Sequence, residues 1–112
     1  MIKQEQSDLK IKNMYIYNVT VSIEKTLAED WLNWMKTIHV PDVLNTGHFI
    51  DNKICRVMNV DDEGATYSVQ YTFNTMEEIE TYQKNHAPRL QAEHSKRYEG
   101  KYAAFRTLLE IV

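Results

Sequence analysis

Two stretches of strict apolar–polar alternation constrain this chain most, because a helix-start signal follows each of them almost at once. From Tyr15 to Ile23, Tyr17, Val19, Val21 and Ile23 alternate with Asn18, Thr20 and Ser22, the period of a strand with one apolar and one polar face. Tyr67, Val69, Tyr71 and Phe73 repeat the pattern against Ser68, Gln70 and Thr72. Thr26-Leu-Ala-Glu29 follows the first strand and Thr75-Met-Glu-Glu78 the second. Both are spaced as capping boxes, in which each side chain satisfies the other's free backbone donor.

The first helix carries Leu27, Trp31, Trp34, Met35 and Ile38 on one face. Pro41 interrupts it or starts a short extra turn through Leu44, and Gly47 suits a left-handed cap. Met76, Ile79, Tyr82 and Gln83 form the stripe of the second helix. Pro88 breaks that helix and opens a further one through Tyr98, ended by Gly100. Between the halves, Phe49 to Val60 reads as a strand of mixed parity, with Ile50, Ile54 and Met58 against Phe49, Cys55 and Val57. A bulge near Asn52 reconciles the two sets. Asp61-Asp62-Glu63-Gly64 then forms a hairpin loop with a glycine available for positive φ. The last strand, Tyr102 to Val112, sets Phe105, Leu109 and Ile111 on one face and Arg106 and Glu110 on the other.

The resulting order is β-α-β-β-α-β, in two similar halves. Each main helix opens on Thr-x-x-Glu and closes on His-x-Pro, at His39-Val-Pro41 and His86-Ala-Pro88. Right-handed crossovers select the split β-α-β arrangement. The predicted fold is therefore an α+β, ferredoxin-like sandwich: a four-stranded antiparallel sheet with helices on one face. The helix-free face carries Asn18, Thr20, Ser68, Gln70, Thr72 and, on this reading, Arg106. Residues 14–112 make up this single domain. Residues 1–13 are a polar extension read as a flexible arm, with Met14 as an alternative natural start.

At 112 residues the chain suits one two-layer core. A net charge of −3 gives no electrostatic reason to expect nucleic acid or an anionic membrane. The third strand also lacks the Lys/Arg-Gly-aromatic signature of RNA-recognition motifs. No run reaches the ~20 apolar residues that span a bilayer, and the N-terminus has no signal-peptide pattern. The single Cys55 cannot form an internal disulfide. These features predict a cytoplasmic protein without membrane or nucleic-acid partners.

Several stretches carry a family resemblance: Tyr17-Asn-Val-Thr-Val21, Trp31-Leu-Asn-Trp-Met35 with His39-Val-Pro41, and Tyr67-Ser-Val-Gln-Tyr-Thr-Phe73. His86-Ala-Pro88, Leu90-Gln-Ala-Glu-His94 and Ala104-Phe-Arg-Thr-Leu-Leu109 complete them. Together they resemble a small bacterial family known only as a domain of unknown function. The resemblance implies a dimeric α+β barrel, a homodimer whose two sheets pack by their helix-free faces, and it brings no activity and no cofactor. More distantly, the architecture is similar to that of the antibiotic-biosynthesis mono-oxygenases and their haem-degrading relatives. The latter use an asparagine on the first strand, a tryptophan on the third and a histidine on the second helix. Asn18 and His86 match the first and last, whereas the third strand here has no tryptophan.

The candidate chemistry lies in histidines and aromatics. His39, His48, His86 and His94 would suffice for a metal by number, but none forms an i, i+4 pair, so no metal site is expected. Antiparallel helices place His39 and His86 at opposite ends, leaving His39 with His48, or His86 with His94, as the pairs that could be neighbours. One candidate pocket is Tyr17, Trp34, His39, Tyr71 and Phe73, between sheet and helices, with His39 favoured in its protonated form beside a helix C-terminus. Its rival at the other end is Tyr67, His86, His94 and Tyr102. The competing account of both sets is a filled core with phenols and indoles reaching the surface. Arg106 either holds an anionic substrate or pairs across subunits with a carboxylate such as Glu110; the second is the more ordinary use of a charge on an edge strand. Asp61, Asp62 and Glu63 are too short a run for a calcium loop. Three functions follow from these features: a small-molecule-binding barrel taking an apolar or aromatic ligand, a non-catalytic dimerisation module, or a cofactor-free mono-oxygenase-like enzyme.

Overall fold

The structure, a computed structural model, describes residues 14–58 and 64–112. Four antiparallel strands form one sheet in the order β2-β3-β1-β4: β1 Met14–Glu24, β2 Asp51–Arg56, β3 Gly64–Phe73 and β4 Tyr102–Ile111. The central pair runs in unbroken register from Tyr15↔Phe73 to Glu24↔Gly64. Its odd-numbered side chains all face the helices, and Tyr17, Val21, Ile23, Tyr67, Val69, Tyr71 and Phe73 are buried there. The helices that cover them are α1 Ala28–Trp34, a π turn Met35–His39, α2 Val40–Leu44, α3 Met76–Asn85 and α4 Ala87–Tyr98. Trp31, Met35, Val43, Ile79, Tyr82 and Leu90 descend from them into the same core. This is the ferredoxin-like α+β arrangement read from the sequence.

Several local expectations are corrected. The Thr26 box does not form: Lys25–Leu27 is a 3-10 turn, and α1 starts at Ala28 with no side-chain cap. The second box forms by half. Thr75 accepts a hydrogen bond from the Glu78 N–H, while the Glu78 carboxylate accepts one from His48 instead of reaching back. Of the two readings of Pro41, the second holds: it does not break the first helix but opens a short turn through Leu44. It lies in the first turn of α2, directly after the π turn. The wider turn re-phases the surface, leaving Ile38 48% exposed while Val40 and Val43 are buried. Gly47 does adopt positive φ, at 86°.

β2 pairs with β3 without a bulge, from Asp51↔Thr72 to Arg56↔Tyr67. Phe49 and Ile50 precede the strand, so their parity needs no reconciling. Residues 59–63, with the expected strand end and loop, lie outside the described residues, as does the extension 1–13. Gly64 is not a positive-φ residue. It is needed for closeness, because a Cβ there would stand 2.8 Å from the Ile23 carbonyl oxygen.

The largest correction concerns β4. Val19 pairs with Arg106 and Thr20 with Phe105. Directly paired residues share a face. Arg106 therefore joins Tyr102 and Ala104 on the helix side. Phe105, Leu109 and Ile111 lie on the helix-free face, 63%, 42% and 48% exposed. The bulk of these side chains suggested the core, but their register sets them against Thr20, Ile16 and Met14.

Trp31 is fully buried and stacks on Tyr67, with ring centroids 5.1 Å apart. Trp34 is only partly covered. Trp31→Ala should therefore cost about 3–5 kcal/mol, and Trp34→Ala less than half as much, read from urea unfolding of each variant.

Candidate functional site

The π turn brings His39 over the sheet. Residues five apart come into line on such a turn, and the His39 ring stacks on Trp34 at 5.2 Å and 28°. From the facing helix α4, His94 lies 5.9 Å from His39. The Trp31 indole N–H donates to His94 Nε2 at 2.9 Å. An indole nitrogen can only donate, so His94 Nε2 must be the acceptor and its proton sits on Nδ1. Protonating this ring would require Nε2 to surrender that bond.

A cavity of about 40 Å³ lies beneath the two imidazoles. At the ~10–15 Å³ needed for one water, it has room for roughly three waters or a compact chemical group. Its floor is Val19, Val21 and Val69; Tyr17, Tyr71, Tyr82 and Tyr102 stand around it, with Gln91 and Arg106 at its edge on the α4 and β4 sides. Two of the lining residues carry a buried polar atom, Tyr71 Oη and His39 Nδ1, that finds no hydrogen-bond partner among the described residues. Burial, together with the Tyr82 and Tyr17 phenols, pushes the Tyr71 hydroxyl well above the usual phenol range, so it remains a neutral donor.

The electrostatics reverse the expectation for His39. Burial, and then the Arg106 guanidinium, push His39 down to about 4. Burial, His39 and Arg106 do the same to His94, also to about 4. No helix C-terminus offsets this, because the chain continues helically through Val40–Leu44. Both rings are neutral at physiological pH.

The cavity draws on both sequence-derived sets. Tyr17, His39 and Tyr71 come from the first and His94 and Tyr102 from the second. Trp34 backs His39 without lining the space, Phe73 is sealed in the core against Tyr15, and Tyr67 lies against Trp31. His86 lies elsewhere, 5.5 Å from His48. Neither expected histidine pairing occurs: His39 meets His94 and His48 meets His86. No group of three or more metal-ligating side chains occurs among the described residues. The sequence reading missed Arg106 as part of this space, and the alternation of Tyr102, Ala104 and Arg106 was the signal that could have found it. Asn18 points away, donating to Thr20 and accepting from Ser68 on the helix-free face. It therefore does not converge with His86, and the haem-degrading pattern is not assembled.

The fold places the chain in the ferredoxin-like α+β class. Residues 14–112 match the model of DUF4286, a domain of unknown function, and the chain belongs to that family. Solved structures share the fold at low identity. A conserved protein of unknown function from Bacteroides thetaiotaomicron is 15% identical, with 90% of this chain and 100% of that one covered and a TM-score of 0.64. A dimeric ferredoxin-like protein from an uncultured marine organism is 13% identical (90% and 97% covered, TM-score 0.57). SnoaB, a cofactor-independent oxygenase from Streptomyces nogalater, is 10% identical (88% and 92% covered, TM-score 0.60). No curated protein matches the chain. No described helix is long and apolar enough to cross a membrane.

The depressed histidines set a direction for stability. Between pH 6.5 and 4 the unfolded chain takes up protons that the native rings refuse, so stability is full above 6.5 and is lost as pH falls toward 4. The urea midpoint should fall across that window, and His39→Gln should flatten the upper part of the slope, before the carboxylates titrate.

Proposed function

We propose that this protein is a homodimer that binds a small ligand in the cavity between sheet and helices. The observation that carries the reading is the pair of unpartnered buried atoms, Tyr71 Oη from the sheet and His39 Nδ1 from the helical layer, on two residues that line the cavity. A buried polar group without a partner costs about 1–3 kcal/mol, so two on residues around one cavity mark a space shaped for something that hydrogen-bonds there. The valine floor and surrounding phenols favour an apolar or aromatic body with one polar group. The small volume favours a compact one.

The dimer reading rests on the opposite face. Gln70 donates to Ser68, Ser68 to Asn18 and Asn18 to Thr20, so this polar ladder already satisfies much of its own hydrogen bonding. Beside it lies the exposed strip of Phe105, Leu109 and Ile111. A pre-paired ladder flanked by apolar side chains can be covered at little desolvation cost. Dimeric ferredoxin-like proteins among the structural neighbours support the same arrangement.

Tyr71→Phe tests the cavity. It removes an unsatisfied hydroxyl, so stability should hold or rise, while thermal-shift responses to small phenols and acids should weaken. A variant that loses stability without changing any ligand response would refute the reading. Light scattering at micromolar concentration should show a dimer. Thr20→Glu, which sets an unpaired charge into the covered face, should shift it toward monomer.

A further inference from the structure

Within the proposed cavity the charges are unbalanced. Arg106 reaches in from β4, and the rings around it, His39 and His94, are both held neutral. The wall contributes no carboxylate among the described residues. Arg106 makes no ion pair with any described residue; the ion pairs among the described residues, His48–Glu78, Arg97–Asp30 and Lys101–Glu24, all lie elsewhere. Glu110, the nearest acidic residue along β4, stands opposite Tyr15 four positions further on. An exposed guanidinium at the cavity edge, with donors beside it and no described carboxylate against it, leaves a place there for an anion.

We propose that the cavity selects a compact monoanion, a short carboxylate, with Arg106 as the group that reads its charge. This inference rests on the ligand-binding reading above and names the ligand's class. The guanidinium offers a planar fork of donors to two anionic oxygens. The Tyr71 hydroxyl, which cannot ionise under ordinary conditions, donates to one oxygen from the buried side. The His94 tautomer fixed by Trp31 leaves an Nδ1–H as a further donor on the wall. The organic body rests on Val19, Val21 and Val69. Burial keeps both imidazoles neutral and the Arg106 charge adds to that effect, so a bound anion would meet one cation and two neutral rings.

The probes are formate, acetate and propanoate, each paired with its uncharged amide, and binding is followed by NMR shifts of labelled protein at constant ionic strength. Wild type should bind each acid at least about tenfold more tightly than its amide, with shifts centred on Tyr71, His39 and His94. Arg106→Gln, at an exposed position that fills no core, should bring acid and amide within about twofold of each other, and Arg106→Lys should keep most of the preference. Equal binding of acid and amide by wild type, or a preference that survives Arg106→Gln, overturns the charge assignment while leaving the cavity reading in place. If neither acids nor amides shift the cavity residues, both readings fail.

Discussion

Beside the hydrogen bond from Tyr98 to Asp30, one from the Trp31 indole to His94 joins the helices of the two halves of this fold. Trp31 belongs to the first β-α-β half and His94 to the second, 63 positions away. The bond does three things. It satisfies a buried indole N–H, locks the tautomer of a buried imidazole, and sets the spacing of α1 and α4 above the sheet. Around it His39, Trp34, Tyr98 and Tyr102 form a continuous set of ring contacts with His94. The cavity below this cluster stays open because the rings are braced against each other and not against the valine floor.

The second pair of histidines makes an instructive contrast. His48 donates to Glu78 at 2.7 Å, and Arg89 approaches His86 at 3.4 Å. The first contact secures the loop after α2 to the start of α3, and the second lies at the opening of α4. The two His-x-Pro sites thus diverge. The first places a neutral imidazole over an apolar hollow, and the second fastens a helix junction. Like sequence motifs have been put to unlike uses, and the difference lies in what faces them across the fold.

How much of this was legible in the sequence follows from how local each feature is. β1 and β3 announce themselves because both are half-buried and strictly alternating, and the element order follows from them. β4 misled because it is apolar on both faces, so bulk could not decide its facing; only the pairing of Val19 with Arg106 does. Thr26 carried a cap signal, but a 3-10 turn after β1 moved the N-cap of α1 one residue on, to Leu27. The site was legible in parts. Tyr17, His39 and Tyr71 were recognisable from strand parity and helix end. That His94 and Tyr102 belong beside them depends on how α4 crosses α1, a tertiary fact with no sequence period of its own.

The π turn between Trp34 and Val40 has a consequence for descent as well as for shape. Such a turn is an α-helix carrying one extra residue, and a single residue advances a helix surface by about 100°. Every side chain after it keeps its bearing only while that residue is retained. A lineage that lost one codon in this segment would keep its helix, its proline and its overall fold. It would also swing the imidazole at position 39 away from the hollow, separating two genes of nearly identical length into proteins with different interiors.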